Sequence, residues 1–581
     1  MAEKTYPSAI SLFRVILKPE SRFYWLVFVY GLAVSGLSLA LPLSVQVLIS
    51  TVANAALEGQ VIVLSMVLFG LLGLSSVFIA LQIFVMELFE RRFFSRIVSD
   101  AALRLAYARY DFIESINREE LMNRYFDVMT VQKNLPPLLT GGLASLLQMS
   151  AGVALTSFYH PIFLLFNGIA ILLAYLVYRV FDRGAAYSSI TLSTAKYGVG
   201  EWLETLARAN AFFKSSRTVE YAVERTLAAR DRYITEHKRH FRYAYAQILG
   251  FLVLYTTTSA ALLGVGGILV IRGQLTIGQL VAAELILSGV FYGLSRIGYY
   301  LELYYDLYAA MYKLRELYLI PHEHIRVDSR IEAWEPTVTF DGVRIDMRDR
   351  DLNLDFEIPA GATALIKARS TSQIEAVSDL IQYFRRPDSG QVVIGGHAID
   401  DFNTQRMRND VQVVESTLLP DCSIAEFLRI ADPEISRSKM RHLLDVCGLD
   451  TSLPELVDGL DHELTPHGYP LSLSGVVKLK VAYALASRPR VLLLTPLFDT
   501  LSQEARRSII RHLRAQRQTT VLCFTHRQDL DGFDVYWFLD FHEQRAYPSL
   551  RATFEAYERA LDDDQAPDHL DVEPPKREVG T

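Results

Sequence analysis

The stretch "IGQLVAAELILSGVFYGLSRIGYYLELYYDLYAAMYKLRELYLIP", residues 277–321, decides the fold. Its first half is largely apolar and long enough to cross a membrane, since about 20 apolar residues span the hydrocarbon core as a helix. Its second half keeps helical spacing of apolar residues until Pro321, which favours a helix that continues past the membrane. Four tyrosines recur along it and favour a packing stripe: Tyr300, Tyr304, Tyr308 and Tyr312.

Further apolar segments precede this one, and together they predict six membrane spans. They lie at about 24–51, 61–87, 135–181 and 245–272. The segment 135–181 is long enough for two spans, so we predict a helical hairpin that turns at Pro161. A hydrophobic content of 51% fits a membrane protein, and the net charge of −7 argues against nucleic acid as a partner.

Two connections, between spans two and three and between spans four and five, are long and rich in arginine and lysine. Because such connections stay on the cytosolic side, we predict that both termini are cytosolic. The connections are amphipathic and nearly free of proline and glycine, so the spans are expected to continue as helices outside the membrane. We expect a multi-pass protein of a bacterial inner (cytoplasmic) membrane.

From about residue 330 the pattern changes to short β-rich runs that alternate with helical patterns. The runs are "LNLDFEI", "ATALI", "GQVVIGG", "DVQVVE", "VLLLTP", "TVLCFTH" and "VYWFLD". Alternating strands and helices predict a mostly parallel sheet covered on both faces. Three scattered cysteines, Cys422, Cys447 and Cys523, favour neither a disulfide framework nor a metal site. We divide the chain into a membrane domain at 1–321, an α/β domain at 322–560 and an acidic disordered tail at 561–581.

This organisation resembles a half-transporter of the ABC exporter superfamily. The segment 268–321 is similar to the fifth-to-sixth span region of type I secretion and bacteriocin exporters. "IPAGATALI", "RRPDSGQVVIGGHAIDDFN", "ALASRPRVLLL" and "VLCFTHR" are similar to framework segments of the nucleotide-binding domain. The resemblance implies a polytopic α-helical membrane domain of six spans with the ABC exporter fold, followed by a cytosolic α/β domain of the P-loop NTPase-like ABC type.

The family's P-loop, G-x-x-G-x-G-K-S/T, aligns without gaps to "ARSTSQIE". Its positions hold Ala368, Arg369, Ser370, Thr371, Ser372, Gln373, Ile374 and Glu375. A P-loop needs glycines so that backbone N–H groups can curl around a phosphate, and a lysine to neutralise its charge. Ile374 removes a charged contact worth about 1.5 to 3 kcal/mol, and Glu375 places a carboxylate near the phosphates. We predict a degenerate loop, although Lys367 and Arg369 are either solvated or reach a phosphate from another side.

The family's other nucleotide-contacting motifs are altered as well. The Walker B acids map to Thr495 and Pro496, and the Q-loop glutamine maps to Ser416 beside Glu415. The signature LSGGQ aligns to Leu471, Ser472, Leu473, Ser474 and Gly475, or after a shift of two residues to "LSGVV" at 473–477. The family's switch histidine is retained as His526, which is more simply a satisfied structural residue than an active switch.

Two polar residues fall within or near the sixth span. Glu284 lies inside the span and Arg296 near its cytosolic end, and both are costly if they face lipid. Pairing between helices or a dimer contact explains them as well as a role in translocation does, so both interpretations stay open.

The resemblance implies a dimer in which each ATP lies between one subunit's P-loop and the other's signature. Our first hypothesis is a transport subunit whose own ATPase site is inactive, paired with an ATP-hydrolysing second half-transporter. On this hypothesis the chain by itself is not an enzyme, no cofactor is bound to it, and ATP with magnesium is bound only through the partner. The difficulty is that the partner's P-loop would need this chain's altered signature.

The alternative is an ATP-independent pseudo-transporter, a homodimer or accessory subunit that acts as a scaffold, assembly partner or passive gate. The resemblance also names a periplasmic adaptor as a candidate partner. Two segments, 116–127 and 207–217, resemble those that transmit motion between the domains in the family.

Overall fold

The structure is a computed structural model that describes residues 14, 16–54, 58–115, 124–158, 161–326, 329, 331, 334–347, 350–449, 456–541 and 544–565. It forms two compact units, Met1–Glu323 and His324–Thr581. The predicted transmitting segment 116–127 lies mostly outside the described residues, as does most of the predicted tail.

The described part of the first unit is helical. Its helices are α1 (Ser21–Ser38), α2 (Ala40–Asn54), α3 (Glu58–Ala106), α4 (Tyr110–Ser115), α5 (Phe126–Pro137), α6 (Ala144–Ser157), α7 (Pro161–Arg208), α8 (Ser216–Ile271) and α9 (Ile277–Tyr318). Within the described residues, six helical segments are long and apolar enough to cross a membrane: Lys18–Ile49, Glu58–Ala106, Phe126–Ser157, Pro161–Arg208, Ser216–Ile271 and Ile277–Tyr318. The prediction of six spans is confirmed.

The helices extend well beyond the membrane, as the sequence predicts. Helix α8 has 56 residues, so at 1.5 Å per residue it is about 84 Å long, against about 30 Å for the hydrocarbon core. The predicted hairpin is also present, because α6 ends at Ser157 and α7 begins at Pro161. The predicted transmitting segment 207–217 forms the turn between α7 and α8, with Ser215 capping α8.

The first span is not one continuous helix, which the sequence analysis did not predict. Helix α1 ends at Ser38 and α2 begins at Ala40. Pro42 explains the break, since a proline ring clashes with the carbonyl four residues earlier, which here belongs to Ser38. The interruption therefore comes from a single local residue.

A cluster of buried ionisable side chains joins three helices of the first unit. The Tyr197 hydroxyl on α7 donates to Asp127 Oδ1 on α5 at 2.9 Å. The Lys313 ammonium on α9 lies 4.1 Å from the centroid of the same tyrosine ring. Asp127 and Lys313 are each 2% exposed, so the ring lies between a buried carboxyl group and a buried amine. Burying an ionisable group is costly, and Tyr197 contacts both of these groups.

The second unit contains two larger sheets and a short two-stranded one. The strands are β1 (Val338–Asp346), β2 (Asp351–Ile358), β3 (Thr363–Ala368), β4 (Ser389–Ile394), β5 (His397–Ala398), β6 (Val411–Val414), β7 (Cys422–Ser423), β8 (Glu463–Leu464), β9 (Val491–Leu494), β10 (Thr520–Phe524), β11 (Val535–Leu539) and β12 (Gln544–Tyr547). The larger sheet has the order β12-β11-β3-β10-β9-β6 and is parallel except for β12. The predicted α/β domain with a mostly parallel sheet is confirmed.

Helices pack on both faces of the larger sheet. They are α10 (Thr371–Ile381), α11 (Thr404–Asp410), α12 (Ile424–Ala431), α13 (Arg437–Val446), α14 (Leu473–Ala486), α15 (Gln503–Gln516) and α16 (Leu550–Gln565). Every residue of β3, β9 and β10 is buried, as expected of central parallel strands that are covered on both faces. Along β3, Leu365 packs with the helical layer whereas Ala364 and Ile366 pack toward the antiparallel sheet. Helix α16 runs to Gln565, so the first residues of the predicted tail are helical.

The antiparallel sheet, of order β2-β1-β4-β5, contains two strands that the sequence analysis missed, β1 and the two-residue β5. Strand β1 has the sequence "VTFDGVRID", and its pairing with β2 shifts register between Phe340 and Val343. Gly342 adopts a positive φ of 55° at this bulge. The bulge interrupts the alternation of apolar residues on which a strand prediction depends.

We expect Tyr197→Phe to lower the free energy of unfolding by about 1 to 3 kcal/mol, because buried Asp127 loses the hydroxyl that it accepts from. The measurement is the unfolding midpoint of the purified chain in detergent. Tyr221→Phe is the matched control, since the Tyr221 side chain is 50% exposed. An equal effect of the two substitutions would contradict the role given to the cluster.

Candidate functional site

The altered nucleotide motifs meet at one edge of the parallel sheet. The P-loop position follows β3, the Walker B position follows β9, His526 follows β10 and the Q-loop position follows β6. These strands are parallel neighbours, so their carboxyl ends lie along the same edge. Open α/β sheets bind ligands outside this edge, which makes it the candidate functional site.

The connection between β3 and α10 is closed by its own side chains. The Gln373 Oε1 atom accepts the backbone N–H groups of Arg369 at 2.9 Å and Ser370 at 3.1 Å. In return Ser370 Oγ accepts the N–H of Gln373 at 3.4 Å, which completes a capping box. Gln373 is fully buried. Its amide oxygen therefore takes the hydrogen bonds that a phosphate would take from such a loop.

The next two residues of the motif point in different directions. Ile374 is buried in the apolar layer between the two larger sheets, whereas Glu375 is exposed. The residue at the phosphate-lysine position thus contributes to the core of the domain. Sequence reasoning identified the substitution but not this placement.

The two basic side chains beside the loop are neither solvated nor free to reach a phosphate. Arg369 donates to both carboxylate oxygens of Asp540, at 2.9 and 3.0 Å, and to the carbonyl of Ala560 at 2.9 Å. Lys367 is 3% exposed, and its ammonium lies 4.0 Å from the ring centroid of Tyr557 on α16. Lys367 is the one charged residue of β3, and this is the sequence signal that could have identified the contact.

The retained histidine is held by a network of polar groups. The Lys367 ammonium lies 2.9 Å from His526 Nδ1. Asp499 accepts from the backbone N–H of His526 at 2.8 Å and from the Thr525 hydroxyl at 2.6 Å. Burial lowers the pKa of Lys367, with Asp499 opposing the shift. Burial and then the charge of Lys367 lower the pKa of His526, which favours a neutral ring that accepts from the lysine.

The Walker B and Q-loop positions carry local hydrogen bonds. The Thr495 hydroxyl donates to the carbonyl of Val414 at 2.8 Å, and Pro496 begins a short 3-10 helix. Glu415 accepts from the Gln382 amide at 3.2 Å, and Ser416 Oγ accepts the N–H of Leu418 at 3.2 Å. Thr495 and Pro496 provide no carboxylate for magnesium, and the loop is filled by Gln373. These residues do not fit a magnesium nucleotide in the ordinary P-loop position.

The signature position, in contrast to the P-loop position, lies at an exposed helix start. Ser472 is the N-cap of α14, and its Oγ accepts the N–H of Gly475 at 3.2 Å. Ser474 Oγ lies 3.2 Å from Ser472 Oγ, and Leu473 is 55% exposed. The alignment at 471–475 places its serine at the N-cap, whereas the shifted alignment places Ser474 in the first turn. In both alignments the start of a helix, with its positive dipole end, carries serine hydroxyls.

The two polar residues of the sixth span make contacts along their own helix. Glu284 Oε1 accepts from the Ser288 hydroxyl at 3.2 Å, and Glu284 Oε2 is buried with no partner among the described residues. Arg296 donates to the Tyr292 hydroxyl at 3.3 Å and lies near the rings of Tyr292 and Tyr299. Within the described part of the chain no ion pair to another helix is found for either residue. A dimer contact and a translocation role remain open.

Comparison with solved structures decides the fold. The structure is similar to that of a bacterial Atm1-family ABC exporter with ATP bound, with a TM-score of 0.79 and 18% sequence identity over 95% of this chain and 100% of the other. The chain has the ABC exporter fold. The predicted fold class, six spans followed by an ABC-type α/β domain, is confirmed.

Sequence relatives of this ABC-exporter-like chain are distant. An ABC multidrug transporter, mdr2, of Aspergillus fumigatus is 23% identical over 542 residues, which cover 88% of this chain and 67% of that protein. The toxin RTX-I translocation ATP-binding protein of Actinobacillus pleuropneumoniae is 26% identical over 46% of this chain and 38% of its own length. The alpha-hemolysin translocation ATP-binding protein HlyB of Escherichia coli is 25% identical over 48% of this chain and 40% of its own length. No family model matches.

These relatives support the predicted resemblance to exporters, including those of the secretion type, and a multi-pass membrane protein. The matched segments cover less than half of the two bacterial toxin-translocation relatives. One prediction is wrong: the chain was expected not to be an enzyme, yet its relatives are ABC transporter ATP-binding proteins, a class of ATPases. That prediction rested on the altered residues at the P-loop, Walker B, Q-loop and signature positions of this chain.

We expect Gln373→Ala to lower the free energy of unfolding by about 1 to 3 kcal/mol, because two buried backbone N–H groups lose their acceptor. The unfolding midpoint in detergent measures the effect. Gln405→Ala, on the exposed side of α11, is the matched control. If both variants unfold like the unmodified chain, Gln373 does not hold the loop.

We also expect a pH dependence from His526. Its pKa is lowered in the folded chain, so the unfolded chain binds a proton at higher pH and stability is lost as the pH falls through about 6.5. The stability difference between the unmodified chain and His526→Gln should therefore shrink between about pH 7.5 and about pH 5.5. A pH-independent difference for His526→Gln would refute the assignment.

Proposed function

We propose that this chain is the membrane-spanning subunit of an ABC-type exporter in a bacterial inner membrane. It works as one half of a dimer and contributes its signature helix to an ATPase site. In this dimer the P-loop of a second half-transporter binds the nucleotide and magnesium. Its own P-loop position serves to hold the domain together.

The main support for this proposal is a difference between two elements of the chain: the loop between β3 and α10 is closed by its own hydrogen bonds, whereas the start of α14 is exposed. The loop at 369–370 has its N–H groups satisfied by Gln373. The start of α14 instead carries Ser472 and Leu473 at exposed positions. An ATP site shared between two subunits would use the start of α14 from this chain and would not use its loop at 369–370. The difficulty over the altered signature is reduced, because a capped helix start remains although the motif's second glycine and glutamine are absent.

The N-terminal end of a helix carries a partial positive charge, which attracts an anion but does little to distinguish one anion from another. The first N–H groups of α14 have no partners within the helix, and the dipole favours an anion near them. Ser472 would add a hydroxyl donor beside the terminal phosphate held by the partner. The described residues of this chain need supply only this contact, because the partner supplies the lysine, the magnesium ligands and the catalytic carboxylate.

The names of the bacterial relatives support export as the direction of transport. The curated bacterial relatives are named for translocation of toxins, and we extend to this chain only the class of activity. Cytosolic termini follow from the distribution of arginine and lysine in the connections.

The test is labelling of the complex, purified by a tag on this chain from its native membrane, with a photoreactive ATP analogue. We expect label on a co-purified second half-transporter and none on residues 368–375 of this chain. Label on 368–375 would contradict the proposal. Absence of both partner and label would favour the ATP-independent pseudo-transporter.

A matched pair of variants tests the signature helix. Leu473→Glu places a carboxylate at the start of α14, where it suits the helix dipole but repels a phosphate, so we expect at least about a tenfold loss of ATPase activity in the complex, or about 1.4 kcal/mol. Ser438→Glu makes the same change in the first turn of α13 and should leave activity unchanged. Equal activities in the two variants would exclude α14 from the ATP site.

A further inference from the structure

The second unit contains a basic cleft that lies away from the altered nucleotide motifs. Its volume is about 740 Å³, and it is lined by α15, the turn before β3 and the loop before β11. These segments lead into β10, β3 and β11, so the cleft lies at the amino ends of parallel strands, whereas the nucleotide motifs follow the carboxyl ends. Strand β3 has six residues, so at about 3.3 Å per residue the two edges are about 20 Å apart.

Four arginines line the cleft, and no lysine is found among its described lining residues. Arg507, Arg511 and Arg514 recur on α15 at the spacing of one helix face, and Arg517 follows at the end of the helix. All four are exposed. Like charges three or four residues apart on a helix repel each other, so a bound anion would relieve a repulsion that is built into α15.

Three of these arginines have no ion pair within the described part of the chain: Arg507, Arg511 and Arg517. Arg517 also has a left-handed backbone conformation, with a φ of 45°. Glycine is the usual residue at such a helix end, because it has no Cβ to clash. The backbone therefore does not account for an arginine at this position, whereas a charged side chain in the cleft does.

The fourth arginine is held in place by the sheet. Arg514 Nη2 donates to Asp534 Oδ1 at 3.1 Å. Asp534 Oδ2 in turn accepts the backbone N–H of Thr363 at 2.9 Å and the hydroxyl of the same residue at 2.8 Å. Gly532 leaves room for the guanidinium group, since a Cβ there would lie 3.2 Å from Arg514 Nη1. One wall of the cleft thus carries a guanidinium group in a fixed position.

The charge and size of the cleft indicate the class of ligand. Two carboxylates, those of Asp531 and Asp534, line it beside the four arginines, so positive charge is in excess. The volume is that of a small-molecule site, and a guanidinium group matches the paired oxygens of a phosphate or a carboxylate. Arg507 and Arg514 lie about 10 Å apart along the helix axis. This spacing favours an anion with more than one phosphate group.

We propose that this cleft binds a small anion with a diphosphate group. Arg507 and Arg511 bind one phosphate group, and Arg514 and Arg517 bind the other. Free diphosphate and a nucleoside diphosphate both carry this group. The site is separate from the ATP site of the proposed dimer, because it lies at the opposite edge of the sheet.

The test measures the binding of inorganic pyrophosphate to the purified full chain in detergent, without magnesium, by isothermal titration calorimetry. We expect one site per chain and binding at least tenfold tighter than that of sulfate or citrate. Sulfate carries a single tetrahedral group and citrate carries three carboxylates. Adenosine diphosphate is the second probe: tighter binding than that of pyrophosphate identifies a nucleoside diphosphate as the ligand, and weaker binding identifies free diphosphate.

Substitutions in the arginine stripe assign the binding to the cleft. Arg511→Gln removes an unpaired guanidinium group from the middle of the stripe and should weaken pyrophosphate binding at least tenfold. Arg507→Gln should do the same from a second exposed position. Arg406→Gln, at an exposed position of α11, is the matched control and should leave binding unchanged. An unchanged unfolding midpoint of each variant shows that loss of binding is not loss of the fold.

Three outcomes would overturn the proposal. They are the absence of saturable pyrophosphate binding, equal binding of citrate and pyrophosphate, and tight pyrophosphate binding by both folded variants of the stripe.

Discussion

The requirement that every buried backbone N–H and C=O group be paired governs both units of this protein. In the first unit it leads to helices as long as the 56 residues of α8, which pair these groups within one segment. In the second unit the central strands pair with neighbours on both sides. At the loop between β3 and α10 the same requirement is met by the oxygen of Gln373. The loop that resembles a phosphate site is thus completed without a ligand.

The polar groups at that edge of the sheet form one connected arrangement. Lys367 contacts His526, and Asp499 fixes the backbone of the same histidine. Tyr557 of α16 covers the lysine, so the C-terminal helix is part of the network. A histidine that responds to a terminal phosphate in the family is here held by side chains of its own domain.

The contrast between the loop and the signature helix connects structure to function. An ATP site of an ABC dimer is built from two chains, so the chemistry of one chain cannot be judged from its P-loop alone. The prediction that the chain is not an enzyme is contradicted by its relatives, which include an ABC multidrug transporter and a translocation ATP-binding protein. In the proposed function, the start of α14 is the element that this chain contributes to such a site.

The sequence by itself determined the spans, the hairpin at Pro161 and the central strands, because membrane thickness and strand burial impose patterns on local segments. The framework segments also assigned the altered motif positions by alignment, with two alignments left open for the signature. Strand β1 escaped, since the bulge at Gly342 breaks its alternation. Only the tertiary structure decided that Gln373 fills the loop, that Lys367 reaches His526, and that α15, the turn before β3 and the loop before β11 line one cleft. These features depend on contacts between side chains from distant segments, and a local sequence pattern does not predict such contacts.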